Sequence, residues 1–115
     1  MMNKIMKTNR PWGYFETLTK NKKCTVKIIY IKKGGVLSRQ YHNLRDELWI
    51  ALDKGLTAEI GNKKFRLKPY ESVRIPKKVV HRLSAETNPG RVLEISFGNF
   101  KETDIVRLED KYGRV

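Results

Sequence analysis

The chain contains two imidazoles, His42 and His81, and each lies near other groups able to ligate a metal ion. Gln40 and His42 are two positions apart, so on a strand their side chains leave the same face. Glu47 follows a short polar run at positions 43–46, and a hairpin folded there brings its carboxylate back beside His42. His81 stands at the start of a later strand-like run, after Pro76. Two imidazoles, a carboxylate and an amide oxygen make a mixed nitrogen–oxygen set of the kind that holds zinc, manganese, iron, cobalt or nickel. From spacing alone these residues read more readily as ordinary polar positions of a β protein than as a metal site.

The elements that would have to position them are strands. Alternation of apolar and polar residues predicts strands at 24–31, 36–42, 47–52, 56–60, 65–67, 72–75, 80–84 and 91–97, with weaker alternation at 12–18. In the first of these, Cys24, Val26, Ile28 and Tyr30 share one face. Lys32-Lys33-Gly34-Gly35, Asp53-Lys54-Gly55, Gly61-Asn62-Lys63-Lys64 and Asn88-Pro89-Gly90 read as turns. Pro69 and Pro76 end two of the runs. Positions 102–115 are charged and read as a strand, a tail or both. Short strands at close spacing, with no linker or repeat, predict one all-β domain over residues 1–115, a sandwich or barrel.

Composition narrows the function classes. Hydrophobic residues make up 39% of the 115, enough for a folded core. The lone Cys24 excludes an internal disulfide and, in its alternating run, reads as a packing residue. Trp12 and Trp49 read as core before they read as platforms for a sugar ring. No apolar run is long enough to span a membrane, and residues 1–7 lack the apolar centre of a signal peptide, so the cytoplasm is the expected compartment. A net charge of +13, from 25 Lys plus Arg against 12 Asp plus Glu, favours anionic ligands or simply dresses a solvated surface. Nucleic acid is the least expected of these partners, because no aromatic-and-glycine signature of a single-strand binder occurs.

Three stretches carry a family resemblance. Arg10-Pro11-Trp12-Gly13 matches an RPWG motif. Leu37-Ser38-Arg39-Gln40-Tyr41-His42-Asn43-Leu44-Arg45-Asp46-Glu47-Leu48-Trp49 matches LSxQxHxxRxExW, and residues 104–114 match all but the first position of DDIVRxEDxYGR. Together they cover nearly the whole chain, which resembles the cupin domain of type II phosphomannose isomerases. Cupins carry Gly, five residues, His-x-His, three or four residues and Glu, then Pro-x-Gly, two residues and His. Here Gly34, Gln40, His42 and Glu47 stand in the first pattern, and Pro76, Lys78 and His81 in the second. Gln40 replaces a histidine, and Lys78 replaces a glycine. Asn43, Leu44 and Leu48 stand where the family often has histidines.

The resemblance implies a double-stranded β-helix, or jelly-roll barrel, and a metal-assisted exchange between mannose 6-phosphate and fructose 6-phosphate. It assigns Gln40, His42, Glu47 and His81 to a divalent ion, zinc before the others. Glu94, the polar member of an apolar run, becomes the candidate base that moves a proton between neighbouring carbons. Arg45, Lys27, Arg107 and Arg114 become candidate phosphate contacts. A homodimer is expected, since cupins commonly pair. The competing expectation is a non-catalytic sugar-phosphate-binding cupin, or a partner subunit of a separate mannose-1-phosphate guanylyltransferase. In many relatives such a transferase precedes this domain; no glycine-rich nucleotide loop is visible here, so guanylyl transfer by this chain alone is not expected.

Overall fold

A computed structural model describes residues 5–115; most of the run read above for a signal peptide, residues 1–4, lies outside them. Among the described residues there are eleven strands and no helix, and so no helix long and apolar enough to cross a membrane. The strands are β1 (Met6–Arg10), β2 (Gly13–Thr17), β3 (Cys24–Ile31), β4 (Arg39–Tyr41), β5 (Glu47–Ala51) and β6 (Leu56–Ile60). They continue as β7 (Lys63–Leu67), β8 (Ser72–Ile75), β9 (His81–Ser84), β10 (Gly90–Phe97) and β11 (Val106–Glu109). One sheet runs β3-β10-β5-β8 and the facing sheet β11-β4-β9-β6-β7, with every pairing antiparallel. This is the expected all-β cupin barrel.

Period-2 alternation decides what lies between the sheets. From β5, Trp49 and Ala51 point inward; from β10, Val92; from β6, Leu56 and Ala58; from β9, Leu83. These side chains, with Ile31, Leu67, Ile75 and Ala85, form a dry cluster that fills one half of the barrel. The other half is polar, because the same inward rows continue as Glu47 on β5, Glu94 and Ser96 on β10 and His81 on β9, all buried. Their order is fixed by register: Glu94 lies across from Trp49 and Ser96 from Glu47. The β6–β7 hairpin turns through two residues, with Gly61 at φ +58°, a conformation open to glycine at little cost.

Several features depart from the sequence expectations. The weak alternation at 12–18 belongs to a hairpin, β1–β2, whose first strand carried no alternation signal. The strand expected over 36–42 shortens to β4, with an isolated bridge from Val36 to Ser84. Positions 102–115 give β11 and a turn-rich end. Cys24, Val26, Ile28 and Tyr30 do share a face, but it is the outer one: Val26, Ile28 and Tyr30 are exposed, and Cys24 is half-buried against Leu48, Ile50 and Ile95. Trp49 is core at 1% exposure, whereas Trp12 sits in the β1–β2 turn at 73%. Alternation sorts residues onto two faces; only the partner sheet says which face is inside.

Candidate metal centre

His42 follows β4, Glu47 opens β5 and His81 opens β9. Gln40 on β4 is the direct cross-strand partner of His81, and the run after His42 carries the chain across the barrel to Glu47. Thus four residues spread over 42 positions converge inside the barrel, Glu47 from one sheet and Gln40, His42 and His81 from the side of the facing sheet. One ligand atom from each of His42, Glu47 and His81 lies within 4.8 Å of the others. Glu47 Oε1 is 3.6 Å from His42 Nε2 and 3.5 Å from His81 Nε2. All three side chains are at most 2% exposed.

The other ring nitrogens fix the tautomers. His42 Nδ1 lies 2.6 Å from the Asp104 carbonyl oxygen, and His81 Nδ1 lies 2.9 Å from that of Val79. A carbonyl only accepts, so each Nδ1 carries the hydrogen and each Nε2 presents a lone pair to the centre. Burial pushes the pKa of both rings down, that of His81 to about 4, with the Arg45 charge acting in the same direction. Both imidazoles are therefore neutral at pH 7, the form in which they ligate metals. Glu47 Oε1 and His81 Nε2 are buried without a hydrogen-bond partner. Leaving two such atoms unpaired costs free energy that a shared cation would recover, so this donor set fits a divalent ion.

The surrounding groups hold Glu47 in place. Its Oε2 accepts hydrogen bonds from Arg45 Nε at 3.1 Å and Ser96 Oγ at 3.1 Å. Burial raises the Glu47 pKa, and the Arg45 charge opposes that rise. Arg45 is itself buried; Nη1 donates to the Lys101 carbonyl, Nη2 lies 3.2 Å from His42 Nε2, and its guanidinium covers the Phe100 ring. Gln40 Oε1 accepts from Ser38 Oγ at 2.6 Å and keeps a second lone pair. Lys78, in the position of the cupin glycine, has φ +69°, and its amide donates to the His42 carbonyl. The turn keeps the backbone form a glycine would favour despite the side chain.

Beyond the triad, a cavity of about 270 Å³ is lined by Lys27, Gln40, His42, Arg45, Glu94, Arg107 and Arg114, among others. Glu94 points inward and its Oε2 accepts from Trp49 Nε1 at 3.3 Å. Burial raises its pKa, and the nearby Glu47 charge adds to the effect. Of the cationic residues, Lys27 pairs with Glu102 at 3.2 Å and lies over Phe100. Arg114 is held by Asp110 at 2.7 Å, while Arg107 has a buried Nε with no hydrogen-bond partner. The residue that sequence reasoning passed over is Asp104. Its carboxylate accepts from the Asn43 and Leu44 amides and its carbonyl orients His42. It lies 62 positions away from His42, and no spacing rule would have joined them.

Comparison with known proteins places the arrangement. The family described as "Mannose-6-phosphate isomerase C-terminal" matches residues 1–110. The xanthan biosynthesis protein XanB of Xanthomonas campestris pv. campestris (strain B100) is 37% identical over 113 residues, covering 94% of this chain and 24% of its own. A mannose-1-phosphate guanylyltransferase of Klebsiella pneumoniae is 37% identical over 110 residues, covering 91% of this chain and 23% of its own. The chain thus spans about a quarter of the length of these curated relatives. The solved structure of KdgF from Halomonas sp. superposes with a TM-score of 0.66 at 15% identity, covering 75% of this chain and 78% of that one. That likeness concerns the fold.

Proposed function

Because the chain belongs to the mannose-6-phosphate isomerase C-terminal family, we propose that it interconverts mannose 6-phosphate and fructose 6-phosphate in the polar half of the barrel. The observation that carries this reading is the pair of buried, unpartnered ligand atoms, Glu47 Oε1 and His81 Nε2, facing the lone pair of His42 beside the cavity. His42 and His81 would hold a divalent ion through Nε2 and Glu47 through Oε1, with the Gln40 amide oxygen as a fourth donor; zinc is the first candidate. When bound, the ion supplies Lewis-acid polarisation of the sugar carbonyl and hydroxyl oxygens.

The chain's own groups do the rest. Glu94 takes a proton from carbon 2 of the aldose and returns it to carbon 1 while the hydroxyl proton on oxygen 2 passes to oxygen 1, and the raised pKa of Glu94 makes it a stronger base than a solvated carboxylate. Trp49 Nε1 orients that carboxylate. Lys27, Arg107 and Arg114 line the cavity as phosphate contacts, Arg107 with an Nε hydrogen to give. Arg45, from the same cavity wall, offers charge to the phosphate while its Nε steadies Glu47.

A second reading is a sugar-phosphate-binding cupin without turnover, acting beside a mannose-1-phosphate guanylyltransferase. It is favoured by the Arg45 Nη2 to His42 Nε2 contact, which sets a cation against one of the ligand atoms. A coupled isomerase assay with several hexose phosphates, with and without added zinc, manganese, iron, cobalt or nickel, separates the two. Turnover that requires metal supports isomerisation. Binding without turnover under every metal selects the second reading, and no binding at all removes the phosphosugar assignment.

A further inference from the structure

The segment between β10 and β11, residues 98–105, brings two side chains to the cations of the polar cavity that no step above uses, Phe100 and Glu102. Its backbone is pinned along its length. The Gly98 amide donates to the Lys23 carbonyl, the Lys101 carbonyl accepts from Arg45 Nη1, and the Asp104 carboxylate accepts from the Asn43 and Leu44 amides. The Glu102 side chain is held far less. It lines the cavity, it is 81% exposed, and among the described residues its one partner is Lys27, at 3.2 Å.

Lys27 belongs to the inward row of β3 with Ile29 and Ile31, and register sets it across from Glu94. Its Nζ lies 4.0 Å from the centre of the Phe100 ring, and Arg45 Cζ lies 4.4 Å from the same centre. The ring face attracts each cation, but two like charges gathered on one ring repel each other. Each therefore needs an anion. Arg45 has the buried Glu47 carboxylate, and in the free protein Lys27 has Glu102.

We propose that Glu102 stands in for the substrate's phosphate: its carboxylate occupies Lys27 in the free protein, and the phosphate of an entering hexose phosphate displaces it. This rests on the phosphosugar reading of the cavity. An exposed ion pair is weak, whereas a phosphate dianion brings a second charge and further acceptor oxygens to the same ammonium group. The exchange therefore favours the phosphate. An uncharged hexose has no group that can replace the carboxylate, so Glu102 makes access to Lys27 conditional on an anion. It also weakens phosphate binding, because only molecules whose Lys27 is free can accept the ligand. The pinned backbone leaves the Glu102 side chain as the part that swings away, and the Phe100 ring keeps Lys27 in place when it does.

The test is calorimetric titration of the full chain with mannitol 6-phosphate, which keeps the phosphate of mannose 6-phosphate but has no carbonyl to isomerise. Circular dichroism confirms folding. Glu102→Gln changes an exposed position, so it should fold as the wild type does and bind the probe about 5-fold more tightly. Lys27→Gln should bind it more weakly than the wild type. In the Lys27→Gln background Glu102→Gln should gain less than about 2-fold, because the pair it would break is already gone. If Lys27→Gln fails to fold, Lys27→Met, which keeps an apolar stem over Phe100, carries the same cycle. Wild-type binding that Glu102→Gln leaves unchanged overturns the proposal and leaves the phosphosugar reading standing. An equal gain with and without Lys27 makes Glu102 a general repulsive charge and also overturns it. If neither the wild type nor any variant binds the probe, the phosphosugar reading is removed and the proposal falls with it.

Discussion

The buried His81 should make the metal-free protein lose stability on mild acidification. In the folded chain burial holds the His81 pKa at about 4, and in the unfolded chain it returns to an ordinary value near 6.5. Below pH 6.5 the unfolded state therefore binds a proton that the folded state refuses. Stability from this group is present in full above pH 6.5 and is lost as pH falls from there towards 4. At pH 5 the loss is about 2 kcal/mol for this residue alone, since each pKa unit is worth about 1.4 kcal/mol. The raised pKa values of Glu47 and Glu94 act in the opposite direction, favouring the folded state as pH falls. Comparing the wild type with His81→Gln isolates the imidazole. In urea unfolding with chelator present, the wild type should lose about 2 kcal/mol more than the variant between pH 7 and pH 5. Parallel pH profiles for the two proteins would refute the assignment of a neutral, desolvated His81.

Other outcomes follow from the same geometry. Zinc should raise the wild-type unfolding midpoint, and Glu47→Gln, which weakens the central donor, should lower zinc affinity by more than about 100-fold in calorimetric titration. Lys78→Gly should stabilise the chain by about 1 kcal/mol in chemical unfolding, because φ +69° strains a side-chain-bearing residue. Leu83→Ala, at a site with 0% exposure, should cost about 2–5 kcal/mol in the same measurement. In the isomerase assay, Trp49→Phe should lower kcat more than KM and shift the acid limb of the pH profile, because Glu94 loses its hydrogen-bond donor.

Much of this protein was legible before any coordinates. Alternation marks most barrel strands because each strand has one face toward the core, and the turn residues mark where strands stop. Gln40, His42 and Glu47 are close in sequence, but the hairpin expected between them does not form: β4 and β5 lie in facing sheets, and the run at 43–46 carries the chain across the barrel so that Glu47 meets His42 from the opposite side. His81 was tied to them by the family resemblance, whose two motifs are a record of tertiary proximity. Tertiary structure alone decided the rest. Whether β3 turns Val26, Ile28 and Tyr30 in or out depends on which sheet lies opposite, and a period of two is silent on that. The same holds for Glu94, whose inward aim comes from its register against Trp49. Asp104 orients His42, and Arg45 braces Glu47 beneath Phe100. The first and last of these contacts join positions far apart in the chain, and only the packed barrel brings such atoms within reach. The tautomers, the lowered histidine pKa values and the two unpartnered ligand atoms all come from burial, a property no single residue carries in its own sequence position.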